Sequence, residues 1–192
     1  MRALSDMFAV AATVVAADAF SKALVLEKLS RHSPVRLLDG LVTLHLTFNA
    51  GAAFGFGTSY TAVIALIACG VIVAIIRSAR QLRSVAWTVA FGLLLGGAAG
   101  NLGDRLFRAP GPLRGQVVDW INLPHFPWTF NLAAASITCA AVLIAVLALR
   151  GVRIDGTPST PPTPSTPPTP PTPPAHAADG DGSPRPADRG YP

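Results

Sequence analysis

Residues 85–105 read VAWTVAFGLLLGGAAGNLGDR. The first sixteen, Val85 to Gly100, carry no charge and end in small residues. The next five, Asn101 to Arg105, bring an amide, a carboxylate and a guanidinium. An apolar run of this kind suits a helix crossing a bilayer, which takes about 20 such residues. Small residues at its end let helices approach closely. Asn101, Asp104 and Arg105 then form a polar knot at the membrane interface, with Asp104 and Arg105 read as a structural charged pair.

Working outward, three more runs have the same character. One is roughly Met7 to Leu26, broken by Asp18 and Lys22; another is Tyr60 to Ile76, and the last is Trp128 to Leu149, both uncharged. Apolar residues make up 51% of the 192 and charged residues 13%. Soluble domains run at roughly 25% charged. Residues 1–154 alone are about 60% apolar, which leaves no polar shell for four buried helices. A soluble enzyme, a disulfide-rich secreted domain and a nucleic-acid binder are excluded on this ground. The expected class is a membrane protein with four crossings at about 7–26, 60–76, 85–100 and 128–149.

The formal charge of +5 is spread in small groups between the runs. Arg77, Arg80 and Arg83 lie between runs two and three, Arg150 and Arg153 follow run four, and Arg2 precedes run one. Basic residues near span ends mark the cytoplasmic side. Both termini are therefore expected in the cytoplasm, and the loops at about 27–59 and 101–127 outside. Arg2, the first apolar run and Ala17-Asp18-Ala19 also trace the outline of a cleavable signal peptide. The length of the run and an Asp inside the recognition site speak against it.

The composition changes after Asp155. Residues 157–174 are only Thr, Ser and Pro, with ten prolines. The expectation is a membrane domain over 1–154 and a disordered, cytoplasmic Thr/Pro-rich tail over 155–192. Cys69 and Cys139 sit inside apolar runs and read as packed thiols. The four histidines are scattered, with no metal-ligand spacing.

Ionisable and amide groups beside spans mark function by default. Asp18 and Lys22 are four apart, in the order that favours a helical pair. Asn49 opens a glycine-rich segment, Asn49-Ala50-Gly51-Ala52-Ala53-Phe54-Gly55. Asp119 lies among apolar and aromatic neighbours in Val117-Val118-Asp119-Trp120-Ile121-Asn122. Burial there would raise its pKa and suit it to proton transfer near neutral pH. Phe130-Asn131 opens the last run.

Over about residues 7–149 these clusters resemble the prolipoprotein signal peptidase family, signal peptidase II. The resemblance rests on Asp18-x-x-Ser21-Lys22, Asn49-x-Gly51-x-Ala53-Phe54-Gly55, Gly96-Gly97-x-x-Gly100-Asn101-x-x-Asp104-Arg105, Val118-Asp119-Trp120-Ile121 and Phe130-Asn131-x-Ala133. A softer similarity, over residues 108–115, is to actinobacterial members. The resemblance implies an all-α membrane protein with four transmembrane helices and a small extracytoplasmic β-like element in the first outer loop. It implies an aspartic endopeptidase that removes signal peptides from diacylglyceryl-modified prolipoproteins, just before the lipidated cysteine. The bacterial cytoplasmic membrane is the implied location, with the site at its outer face. Precursors and membrane lipids are the implied partners, with no nucleic acid, no cofactor and no metal. The implied acid pair is Asp119 and the residue after Ala133. Asn49, Asn101, Asp104, Arg105 and Asn131 match positions that line or support the site, and Asp18 and Lys22 match positions tied to activity or stability.

The pattern breaks at one place. The residue after Ala133 is Ala134, and no Asp or Glu lies between Asp119 and Asp155. Aspartic proteolysis needs two carboxyl groups that share a proton. Two expectations stand side by side: a peptidase that is inactive or severely slowed, and a relative that binds precursors without cutting them. A small transporter subunit is a third. It would carry polar residues at mid-depth in several spans, which runs two to four lack.

Overall fold

The computed structural model describes residues 2–29, 33–51 and 60–157. The Thr/Pro stretch after Thr157 and the Ala53-Phe54-Gly55 motif lie outside the described residues, all of which belong to the unit Met1–Ser159. Among the described residues, four helices are long and apolar enough to cross a membrane. They are α1 (Arg2–Lys28), α2 (Thr61–Ser78), α3 (Val85–Phe107) and α4 (Leu132–Leu149). The two shortest have 18 residues, which rise about 27 Å and nearly match a hydrocarbon core about 30 Å thick.

A four-stranded antiparallel sheet lies between the helices in sequence. Its strands are β1 (Val35–Leu37), β2 (Val42–Asn49), β3 (Val117–Asn122) and β4 (Thr129–Phe130), in the spatial order β1-β2-β3-β4. The expected β element in the first loop is present. The sheet also draws two strands from the second loop, because β3 offers its ladder to β2 on one side and β4 on the other.

Three helix bounds differ from the apolar runs. α1 starts at Arg2 and runs to Lys28, because an interfacial charge does not break helical hydrogen bonding. α3 continues past Gly100 through Asn101, Asp104 and Arg105 to Phe107, so these residues are helical and not in a loop. α4 starts at Leu132 and not at Trp128. Thr129 and Phe130 pair with Asn122 and Ile121 instead, and Asn131 caps the helix by accepting from the Ala134 N–H.

α3 packs between α1 and α4, with α2 against its side. Two adjacent glycines explain the double packing. A Cβ at Gly96 would lie 2.7 Å from the Val14 Cβ of α1, and one at Gly97 would lie 2.5 Å from the Ala133 carbonyl oxygen of α4. Only glycine permits both approaches.

The two ends of the bundle are closed differently. At one end Val25, Leu46 and Val118 form a small core that seats the sheet on the tip of α1. At the other, Met7, Leu82, Trp87, Phe91 and Leu147 are buried together. Residues 152–157 fold back over that end as a strap. Val152 and Ile154 pack on its core. The Trp87 indole N–H donates to the Val152 carbonyl at 2.9 Å, and the Arg83 and Ser84 N–H groups donate to the Ile154 carbonyl at 3.1 and 3.3 Å.

Candidate active site

The site is built on a buried ionic cluster where α1, α3, α4 and β3 meet. Lys22 is 1% exposed. Its Nζ lies 2.6 Å from Asp18 Oδ2 and 2.8 Å from Asp104 Oδ2, and donates to Asn101 Oδ1 at 3.2 Å. Each carboxylate also holds another element. Asp18 Oδ1 accepts from the Ala133 N–H of α4 at 2.9 Å. Asp104 Oδ2 accepts from the Val118 N–H of β3 at 3.1 Å, and Asp104 Oδ1 accepts from Arg108 Nε. Two anions and two cations balance, which is the condition for burying charge at tolerable cost.

The polar knot expected at 101–105 is therefore divided. Asp104 and Arg105 are neighbours on a helix, about 100° apart around its axis, and they form no ion pair. Asp104 faces Lys22 and Arg108. Arg105 donates to the carbonyls of Ala50 and Gly51. Together with Thr61 Oγ1, which donates to Ala50 O at 2.7 Å, it fixes the chain leaving β2.

Asn131 carries the cluster to Asp119. Its Nδ2 donates to Asp119 Oδ1 at 2.6 Å, to Asn101 Oδ1 at 3.1 Å and to Val118 O at 3.2 Å. Asn49 Nδ2 donates to Asp119 Oδ2 at 3.1 Å, while Asn49 Oδ1 accepts from the Gly51 N–H at 2.8 Å. Asp119 is thus gripped on both oxygens and buried. Burial raises its pKa from 3.8 to about 6, and the two amide donors and the nearby Lys22 charge check the rise. A carboxyl poised there can exchange a proton near neutral pH.

The carboxamide of Asn131 also reaches position 134. Its Oδ1 accepts from the Ala134 N–H at 2.7 Å. One side chain therefore holds Asp119 by its amide nitrogen and Ala134 by its carbonyl oxygen. Both line a cavity of about 720 Å³ between α2, α3, α4 and the sheet, walled by aliphatic side chains such as Ile64, Val71, Leu94 and Ile137. Asn49, Asn101, Arg105 and Asn131 line it too. Asp18, Lys22 and Asp104 lie behind it and hold its walls. Among the described residues, no group of three or more His, Cys, Asp and Glu could hold a metal ion.

Two partners in this site were not anticipated. Arg108 pairs with Asp104 at the i, i+4 spacing that favours ion pairs on a helix, a signal present in the sequence. The Val118 N–H to Asp104 bond joins a strand to a helix, and no local pattern announces it.

Residues 10–150 match the family described as Signal peptidase (SPase) II. The lipoprotein signal peptidase of Streptomyces coelicolor is 48% identical over 156 residues, which cover 81% of this chain and 76% of that one. That of Mycobacterium avium is 46% identical over 154 residues, 80% of this chain and 84% of the relative. A bacterial membrane enzyme solved by the in meso method at 1.9 Å resolution shares the fold, with a TM-score of 0.65 and 25% identity over 75% of this chain and 92% of that one. Matched over most of its length, in sequence and in fold, the chain belongs to the signal peptidase II family.

Proposed function

We propose that this chain receives diacylglyceryl-modified prolipoproteins in the apolar cavity and presents the bond before the lipidated cysteine to Asp119. The observation that carries this reading is the grip of Asn131 on Asp119 and Ala134 at one cavity wall. In a working acid pair, one carboxylate takes a proton from the attacking water while the other, protonated, donates to the peptide carbonyl. Asp119 supplies one of these groups. Ala134 supplies none, and losing one acid–base group costs on the order of 10²–10⁴ in rate. The chain is thus an aspartic endopeptidase of the signal peptidase II type with half of its acid pair.

The charge distribution of the loops supports a cytoplasmic-membrane protein with both termini inside and the cavity mouth at the outer face. The methyl of Ala134 favours a second reading, in which the chain holds precursors without cutting them.

Reconstitution in liposomes with a diacylglyceryl-modified precursor tests both. Slow cleavage that Asp119→Asn abolishes supports the endopeptidase reading. Binding without cleavage supports the holding role. Absence of binding overturns both.

A further inference from the structure

A second cavity, of about 560 Å³, shares Asn49 and Asp119 with the first. Its lining is of a different kind. Thr43, His45 and Thr47 of β2 and Asn122 of β3 contribute hydroxyl, imidazole and carboxamide groups. The alternation of β2 explains how its three gather there, since Thr43, His45 and Thr47 are two apart and share one face. Leu46 turns into the core with Val25 and Val118, and His45 and Thr47 are left on the cavity. Among the described residues, the side chains of Thr43, His45 and Thr47 have no hydrogen-bond partner. Asn122 Nδ2 donates to the Phe126 and Trp128 carbonyls at 3.4 Å, which leaves its Oδ1 as an acceptor.

Asp119 therefore stands between an aliphatic cavity and a hydrogen-bonding one. We propose that the polar cavity is a subsite for the first residues of the mature lipoprotein, those that follow the lipidated cysteine. It selects extended polar segments through Thr43, His45, Thr47 and Asn122. The inference rests on the proposed function: if the apolar signal segment fills the first cavity and the scissile bond lies at Asp119, the chain beyond that bond enters the second. Its half-buried donors and acceptors would bond the peptide groups of that segment.

The test uses the full chain in lipid nanodiscs and two synthetic probes. Both carry the signal segment and a diacylglyceryl cysteine. One ends at that cysteine as an amide, and the other continues with Ser-Ser-Asn-Gly. Wild type is expected to bind the extended probe about tenfold more tightly. The triple variant Thr43→Val, His45→Leu, Thr47→Val is expected to lose that preference and keep its affinity for the short probe. If that variant also loses the short probe, His45→Leu alone decides, with an expected loss of about threefold on the extended probe only. Equal binding of the two probes by wild type, or an unchanged ratio in the variants, overturns the subsite. Failure of wild type to bind either probe overturns the proposed function with it.

Discussion

The two ends of the helical bundle are closed by opposite means. At the sheet end the closure is ionic: Lys22 lies between Asp18 and Asp104, and each carboxylate also holds a backbone N–H of another element. At the strap end it is apolar, with backbone carbonyls of Val152 and Ile154 accepting from Trp87, Arg83 and Ser84. Apolar closure is adequate for holding helices together. Buried charge is expensive, and hydrophobic substitutes often match it in stability. Its use at one end only points to what that end must do. It fixes Asn131, and through Asn131 the carboxyl of Asp119, at one geometry.

The comparison is broken most severely at Lys22. Lys22→Met leaves two buried carboxylates facing each other, and loss of one partner from such a cluster costs about 3–5 kcal/mol. Thermal unfolding in detergent is expected to show that loss. Adding Asp18→Asn and Asp104→Asn should recover most of it, since the amide oxygens still accept from Ala133 and Val118.

The pH dependence of stability sharpens the contrast. Asp119 titrates near 6 in the folded chain, above its ordinary 3.8. Between those values the unfolded carboxyl has lost its proton and the folded one keeps it. Stability therefore falls as pH rises from about 4 to about 6 and levels off above, by about 3 kcal/mol from this group. Asp119→Leu should remove this part of the slope in detergent unfolding curves measured across pH. A slope that survives the substitution belongs to another group.

The strap end gives the smallest effect. Trp87→Phe keeps the ring against Phe91 but removes the indole donor to Val152 O, at a cost of about 1 kcal/mol. The same unfolding assay should show that offset, unchanged with pH.

Much of this was legible in the sequence, and the remainder has physical reasons. The four crossings follow from three uncharged runs and one broken only by Asp18 and Lys22. The Asp18–Lys22 pair follows from its spacing. Asp104 was misread as the partner of Arg105, because adjacency in sequence is not adjacency on a helix surface. The Lys22–Asp104 bridge spans two helices and has no local signature. The start of α4 was placed too early because Trp128 and Phe130 are apolar, and a two-residue strand leaves no alternation to read. The polar face of β2 was missed although Thr43, His45 and Thr47 alternate with Leu44, Leu46 and Phe48, a period of two.

In the proposed function, one carboxyl group, at position 134, separates this chain from an efficient endopeptidase. Position 134 is the third residue of α4, whose first turn holds no acidic residue. An Asp there would be favoured as the anion by the helix N-terminus, beside an Asp119 that keeps its proton to higher pH, so the two acids would take different roles. The direct measurement is cleavage of a diacylglyceryl-modified precursor in membranes by the chain and by its Ala134→Asp variant. A rate increase on the order of 10²–10⁴ is expected, abolished when Asp119→Ala is added. An unchanged rate in Ala134→Asp, or efficient cleavage by the chain as it stands, would contradict it.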